Sequence, residues 1–229
     1  MSVSLTTYII SILVAVLAVV YIMYPVPALT PEIEEWRNSG KYLKFKSFYI
    51  FYKVVKGRSD QGGTLLTIHG FPTSSHDWVK ILDLGLLKNV QQVIFFDMLG
   101  YGLSQKPRNY DFSIMEQADI AEAILNHLDI KEFHVLAHDY GDTVALEMLA
   151  RLINYIAERS KYKERWVGAL VGAKSPDPVN PRQFIDHYKK TVPNPSITVL
   201  PDHIGHYPQW EAPQEFITAY NTFLQKQLK

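Results

Sequence analysis

The chain has 229 residues, with 23 Lys+Arg against 23 Asp+Glu, no cysteine, 47% hydrophobic residues and 13% aromatic residues. The balanced charge excludes a nucleic-acid binder that works through a basic field, so no nucleic-acid partner is expected. The apolar content excludes intrinsic disorder, and the absent cysteines exclude disulfide staples, thiolate metal sites and a Cys nucleophile.

No side chain from Met1 to Pro31 carries a charge. Residues 3–24 form one apolar run, about 33 Å long as a helix and enough to cross a bilayer core. Tyr8, Tyr21 and Tyr24 lie near its ends, where amphipathic rings favour the interface. The run lacks the basic n-region and A-x-A site of a secretory signal and is longer than the usual apolar core of one. Residues 1–24 are therefore expected to be a membrane anchor in contact with the lipid bilayer; a signal peptide and a buried core helix are the alternatives. Arg37, Lys41, Lys44 and Lys46 follow the run and no Lys or Arg precedes it, which places the larger portion on the cytosolic side. Residues 25–39 read as a linker and residues 40–229 as a folded domain.

Within that domain, Tyr42–Lys46 and Phe48–Val55 read as strands. A short apolar strand at Leu65–Ile68 ends in His69-Gly70-Phe71-Pro72, and Ser75–Leu87 reads as helical. Val90–Phe96 is a buried strand closed by Asp97 and the turn Leu99-Gly100-Tyr101-Gly102. Ser113 with Glu116 three residues on makes a capping box and opens a helix through His127. The strand Phe133–Ala137 and the helix Gly141–Arg159 follow. The strand Ile197–Leu200 and the helix Pro213–Gln227 close the chain, with Pro at the start of that helix. Strands alternating with helices, and buried without period-two polarity, predict an α/β fold with a mostly parallel sheet flanked by helices.

The candidate chemistry sits where strands end. In Ala137-His138-Asp139-Tyr140-Gly141 a strand stops and a helix begins, with small residues at both edges of a tight turn. This is a nucleophile-elbow pattern with Asp139 at its centre. A carboxylate attacks carbon without a base to deprotonate it first. The alternative is that Asp139 caps the helix. The backbone N–H of Tyr140 and one near Phe71, in the His69-Gly70-Phe71-Pro72 loop, are candidates to face the reacting centre. His206 follows the last strand and is placed to activate water; His203 is a rival, expected to be structural. Asp177, in a Pro-rich stretch, is a candidate to orient His206, its alternative being an ordinary Asx turn. No His/Asp/Glu cluster has metal-ligand spacing, and Gly100-Tyr101-Gly102 lacks a dinucleotide-binding context, so no metal and no cofactor is expected.

Together, His69 to Pro72, Asp97 to Ser104, His138 to Asp142 and Gly205 to Pro208 resemble the α/β-hydrolase superfamily, in its epoxide-hydrolase and haloalkane-dehalogenase branch. Thr73 to Ser75, Arg165 to Leu170 and Asp177 to Pro181 are similar to a membrane-anchored group of the endoplasmic reticulum within it. The resemblance implies a hydrolase with Asp139 as nucleophile, His206 as base, Asp177 as acid, and Phe71 and Tyr140 as oxyanion support. It implies an epoxide or a lipid-like ester as substrate. Tyr140 stands where a dehalogenase carries a halide-binding Trp, so dehalogenation is disfavoured. Relatives of this kind insert a helical cap after the sixth strand. Ser160 to Pro176 is too short for a strand, a cap and another strand. An internal deletion around 160–176 is expected to remove the cap and two central strands, which leaves an inactive binding or regulatory isoform as the alternative function.

Overall fold

In strands β2 (Phe48–Lys56), β3 (Thr64–Ile68) and β4 (Gln92–Phe96), neighbouring residues face opposite sides of one sheet, and both sides are buried. Ile50, Tyr52, Leu66, Ile68, Ile94 and Phe96 pack on one side; Phe51, Leu65, Val93 and Phe95 pack on the other. A sheet covered on both faces needs apolar residues at successive positions, which is why these strands carry no alternation of polarity. The computed structural model describes residues 4–23, 28–60, 62–159, 169–173, 186, 189–190, 196–201 and 203–227. They fall into two units, Met1–Glu35 and Trp36–Lys229.

The first unit is dominated by α1 (Leu5–Met23), 19 residues of mean hydropathy 2.5 with no charged side chain and none buried. It is long and apolar enough to cross a bilayer. Helix α2 (Pro31–Asn38) then runs through the stretch expected to be a linker. Its Trp36 is buried in the second unit, edge-on to Phe95 at 5.4 Å, with Nε1 donating to Ser75 Oγ at 3.3 Å and Lys53 Nζ 3.9 Å over the ring. The folded core therefore begins before Gly40.

In the second unit β1 (Lys41–Phe45), β2, β4, β3 and β5 (Phe133–Ala137) form one sheet in the order β1-β2-β4-β3-β5. The β1–β2 and β2–β4 pairs are antiparallel, whereas β3 runs parallel to both β4 and β5. Helices α4 (Ile114–His127) and α5 (Tyr140–Arg159) cover one face through Ala118, Ile124, Val144 and Met148. The other face is covered by Trp78, by Ile81 of the short helix α3 (Val79–Ile81), and by α7 (Pro213–Gln227) through Phe216, Ile217, Tyr220 and Leu224. A further short helix, α6 (Pro208–Glu211), precedes α7.

Only half of the expected capping box forms. Ser113 Oγ accepts from the Glu116 N–H at 3.2 Å, but the Glu116 carboxylate turns to Lys46 Nζ and the Tyr110 hydroxyl, each at 2.7 Å. The Ser75–Leu87 stretch is helical in short pieces, Ser75–Trp78, Val79–Ile81 and Leu82–Leu86, the last kinked at Gly85 with φ 142°. Arg151 on α5 ties that helix to α4, with Asp119 at 2.7 Å, Glu122 at 3.3 Å and the Met115 carbonyl at 3.0 Å.

Strand β6 (Ala169–Ala173) lies inside the stretch expected to lack strands and pairs in parallel with β7 (Ser196–Leu200). The expectation that two central strands are absent is corrected to that extent: a five-residue apolar run suffices to extend β7. The β6–β7 pair is a sheet of its own among the described residues, and β5 ends the larger sheet as an edge strand. Phe133 and Val135 on β5 stay 36% and 37% exposed, and Leu146 on the adjacent helix is 58% exposed. Asp142, Leu146 and Ala150 form an exposed i, i+4, i+8 stripe on α5.

Gly141 sets how closely α5 approaches the sheet. A Cβ there would lie 2.5 Å from the Ile68 carbonyl oxygen and 2.6 Å from that of His69, both rigid backbone atoms. Gly141→Ala is expected to destabilise the full chain by about 1–3 kcal/mol, read as a lowered urea midpoint in detergent micelles. An unchanged midpoint would show that the helix can withdraw from β3 at no cost.

Candidate active site

The site is built from loops that strand order brings together. Ile68 of β3 and Ala137 of β5 are in register, so the chain segments leaving both strands emerge side by side. Strand order reverses at β3, where β4 lies on one side and β5 on the other, and such a switch point opens a crevice at the carboxyl ends of the strands. The His138 N–H donates to the Ile68 carbonyl at 3.1 Å, the last bond before the two loops part.

Asp139 occupies the turn between β5 and α5 with φ 54°, a left-handed conformation for a residue with a Cβ. Holding it there costs on the order of 1–3 kcal/mol. The Gly141 N–H to the His138 carbonyl and the Asp142 N–H to the Asp139 carbonyl, both 2.9 Å, fix the turn. The turn lifts the Asp139 side chain toward the loop after β3. There Gly70 leaves room, since a Cβ on it would lie 2.8 Å from both Asp139 Cβ and His138 Nδ1.

The two oxygens of Asp139 have different partners. Oδ1 accepts the Phe71 N–H at 2.8 Å, and Oδ2 lies 3.1 Å from His206 Nε2. Burial alone would raise this carboxyl, but the N–H groups of Phe71 and Tyr140 and the His206 imidazole hold it below the usual carboxylate range. Asp139 is an ionised carboxylate with two backbone donors and one imidazole around it. Its side chain keeps 19% exposure and that of His206 13%, so water reaches both.

His206 is held by its own loop. His138 Nε2 donates to the His206 carbonyl at 2.7 Å, and Glu211 accepts from the N–H groups on either side, Gly205 at 2.6 Å and Tyr207 at 3.0 Å. The Tyr207 hydroxyl crosses to the other loop and donates to the Phe71 carbonyl at 2.8 Å. The rings of Tyr101, Phe71 and Tyr140 lie together, with centroids 6.2 Å and 6.5 Å from that of Tyr101. Burial pushes the phenols of Tyr101, Tyr140 and Tyr207 up, so they stay protonated at neutral pH.

His69, by contrast, is fully buried and structural. Its Nδ1–H faces the Gly70 carbonyl at 2.8 Å while Nε2 accepts the Met98 N–H at 3.0 Å, and desolvation keeps it neutral. Asp97 braces the neighbouring loops, taking the Ser75 N–H at 2.7 Å and the Leu103 N–H at 2.6 Å.

Of the residues picked from sequence, the structure brings Asp139, His206, Phe71, Tyr140 and Gly70 together. His203 is exposed on the same loop as His206. Asp177 lies outside the described residues. Glu211, His138 and the hydroxyl of Tyr207 were passed over by the sequence reading. The available signal was positional: an aromatic directly after the candidate base, and an acid in the first turn of the next helix.

A family profile described as alpha/beta hydrolase fold matches residues 63–161. Mesoderm-specific transcript homolog protein of Bos taurus is 31% identical, with 94% of this chain and 94% of the relative covered; the Homo sapiens protein of that name gives the same figures. The alignment runs over 317 residues, more than the 229 of this chain, so the relatives carry residues with no counterpart here. Among solved structures, a bacterial membrane phospholipase A superposes with a TM-score of 0.70 at 17% identity, covering 96% of this chain and 98% of that one. The haloalkane dehalogenase DatA of Agrobacterium tumefaciens C58 superposes with a TM-score of 0.67 at 14% identity, covering 82% and 96%. These likenesses establish the fold.

The loop after β3 also carries a titrating brace. The Thr73 hydroxyl lies between the Gly70 carbonyl, at 3.1 Å, and the Asp77 carboxyl. Burial pushes Asp77 up to about 6; the Thr73 hydrogen bond opposes that shift and the Asp97 charge adds to it. A raised carboxyl favours folding in its protonated form, and that contribution is lost as pH rises through about 6. Asp77→Asn is therefore expected to gain stability relative to the native chain between about pH 4 and pH 7, read from urea midpoints at each pH. A pH-independent difference would mean that Asp77 is not desolvated.

Proposed function

The chain belongs to the α/β-hydrolase superfamily, with the mesoderm-specific transcript proteins, and from that premise we propose that it hydrolyses epoxides through a covalent ester on Asp139. The observation that carries the proposal is the unequal grip on the Asp139 carboxylate: backbone N–H at Oδ1, imidazole at Oδ2.

In the first step Oδ2 attacks an epoxide carbon, the strained C–O bond opens, and the alkoxide takes a proton from water. Oδ1 becomes the ester carbonyl oxygen and stays on the Phe71 N–H. In the second step His206 takes a proton from water, and the resulting hydroxide adds to Asp139 Cγ. Negative charge then develops on Oδ1, where the Phe71 N–H already points. Collapse expels the alcohol oxygen, which takes the proton of the newly added hydroxyl, so the carboxylate returns with one oxygen from water and a vicinal diol leaves, while His206 gives its proton to the hydroxide left by the first step. A carboxylic ester attacked at its carbonyl would instead give a mixed anhydride on Asp139, so an epoxide fits a carboxylate nucleophile better than a lipid-like ester does. Helix α1 suits a membrane anchor, which favours an apolar substrate drawn from the bilayer.

A second reading has its own support. The exposed edge of β5, the stripe on α5 and the long alignment fit an internal deletion around 160–176 that removes a cap. A chain so shortened would serve as a catalytically impaired binding or regulatory protein. Turnover equal to that of Asp139→Asn would favour it.

Under the catalytic reading, Asp139→Asn reduces epoxide turnover to background, and oxygen-18 water labels Asp139 during single turnover in the native chain. His206→Gln slows turnover by about 10²-fold or more and lets the ester accumulate, seen by intact mass. Because Asp139 stays ionised below the ordinary carboxylate range, loss of activity on the acid side reports protonation of the base. Unlabelled Asp139 in an active chain would overturn the covalent route.

A further inference from the structure

The hydrogen bonds around Asp139 close into a ring. Oδ1 takes the Phe71 N–H at 2.8 Å, the Phe71 carbonyl takes the Tyr207 hydroxyl at 2.8 Å, Tyr207 follows His206 directly in the chain, and His206 Nε2 returns to Oδ2 at 3.1 Å. We propose that Tyr207 is a positioning residue that locks the oxyanion donor to the base. The proposal rests on the assignment of Asp139 as nucleophile and His206 as base.

The argument is geometric. The N–H and carbonyl of Phe71 flank one Cα, so a bond that fixes the carbonyl restricts rotation of the N–H that faces Asp139. The base loop is itself anchored, by Glu211 on the N–H groups of Gly205 and Tyr207 and by His138 on the His206 carbonyl. Tyr207 therefore ties the Phe71 segment to a fixed point. Phe71 as a residue is 58% exposed, so its own packing holds the segment only weakly. The Tyr207 ring packs 4.9 Å from that of His138 and 5.2 Å from that of His206, which aims the hydroxyl outward from the base loop. Burial raises the phenol, so the group stays a donor across the neutral range.

The two chemical steps use this tie unequally. Ester formation needs Oδ2 and a settled Oδ1. Ester hydrolysis needs His206, the water and the Phe71 N–H in register at the same moment, since hydroxide arrives as charge develops on Oδ1. Loss of the tie falls on the second step.

The test uses the full chain in detergent micelles with styrene oxide as probe. Tyr207→Phe keeps the ring and removes the hydroxyl. The expected result is ester hydrolysis slower by about tenfold with ester formation within about twofold of native, so that alkylated Asp139 builds up by intact mass. Hydrogen exchange of the Phe71 amide, measured without substrate, is expected to quicken by about tenfold. Unchanged ester partitioning together with unchanged Phe71 exchange overturns the proposal. If the native chain forms no ester, the catalytic reading fails, yet the exchange rate still decides whether Tyr207 holds Phe71. If Tyr207→Phe does not fold, fluorotyrosine at 207 keeps the ring and strengthens the donor. Slower Phe71 exchange then supports the lock, and an unaltered rate overturns it.

Discussion

The site depends on one close approach of backbone to backbone. Residues 68–70 leaving β3 and residues 138–141 leaving β5 run within hydrogen-bonding distance, and only glycine fits at 70 and 141. With side chains at those positions the elbow would be pushed off the sheet. Asp139 would then lose the Phe71 N–H, and with it the interaction that keeps its carboxylate charged. The left-handed backbone at Asp139 is tolerated because β5 before it and α5 after it are both held to β3.

That constraint also explains the division of labour among the histidines. His69 and His138 flank the approach; His69 spends both ring nitrogens on backbone groups, Gly70 and Met98, and His138 spends Nε2 on the His206 carbonyl. Among the described histidines, it is His206 that hydrogen-bonds the carboxylate, through Nε2. The base loop is held by Glu211 of α6 and by His138 of the loop after β5, whereas the Phe71 N–H on Oδ1 comes from the loop after β3.

Much of this could be read from the sequence. The strand ends at Ile68, Phe96 and Ala137 were legible because apolar runs stop there against Gly-rich turns. Asp139 and His206 stand out in the sequence because small or punctuating residues lie close by, Ala137 and Gly141 around the first, Gly205 and Pro208 around the second. Four features were not legible, for a common physical reason: each depends on partners distant in the chain. Trp36 looked like part of a linker because the residues that bury it, Ser75 and Phe95, are far downstream. Glu116 completed a capping pattern in sequence, but in space Lys46 and Tyr110 compete for its carboxylate. Strand β6 was missed because it is defined by its pairing with β7, far downstream. The role of Asp77 likewise comes from burial beside Asp97, which spacing does not reveal.

The burial of Trp36 bears on how this protein can be handled once freed of its apolar helix. A chain trimmed at Gly40, where strand-like sequence begins, would lose an indole packed on Phe95 and leave an opening over that face of the sheet. Truncating a large buried aromatic typically costs about 3–5 kcal/mol, a large part of the stability of an ordinary domain. Trimming before Pro31 keeps α2 whole and the indole in place. Trp36, which precedes the first strand, thus belongs in energetic terms to the folded domain.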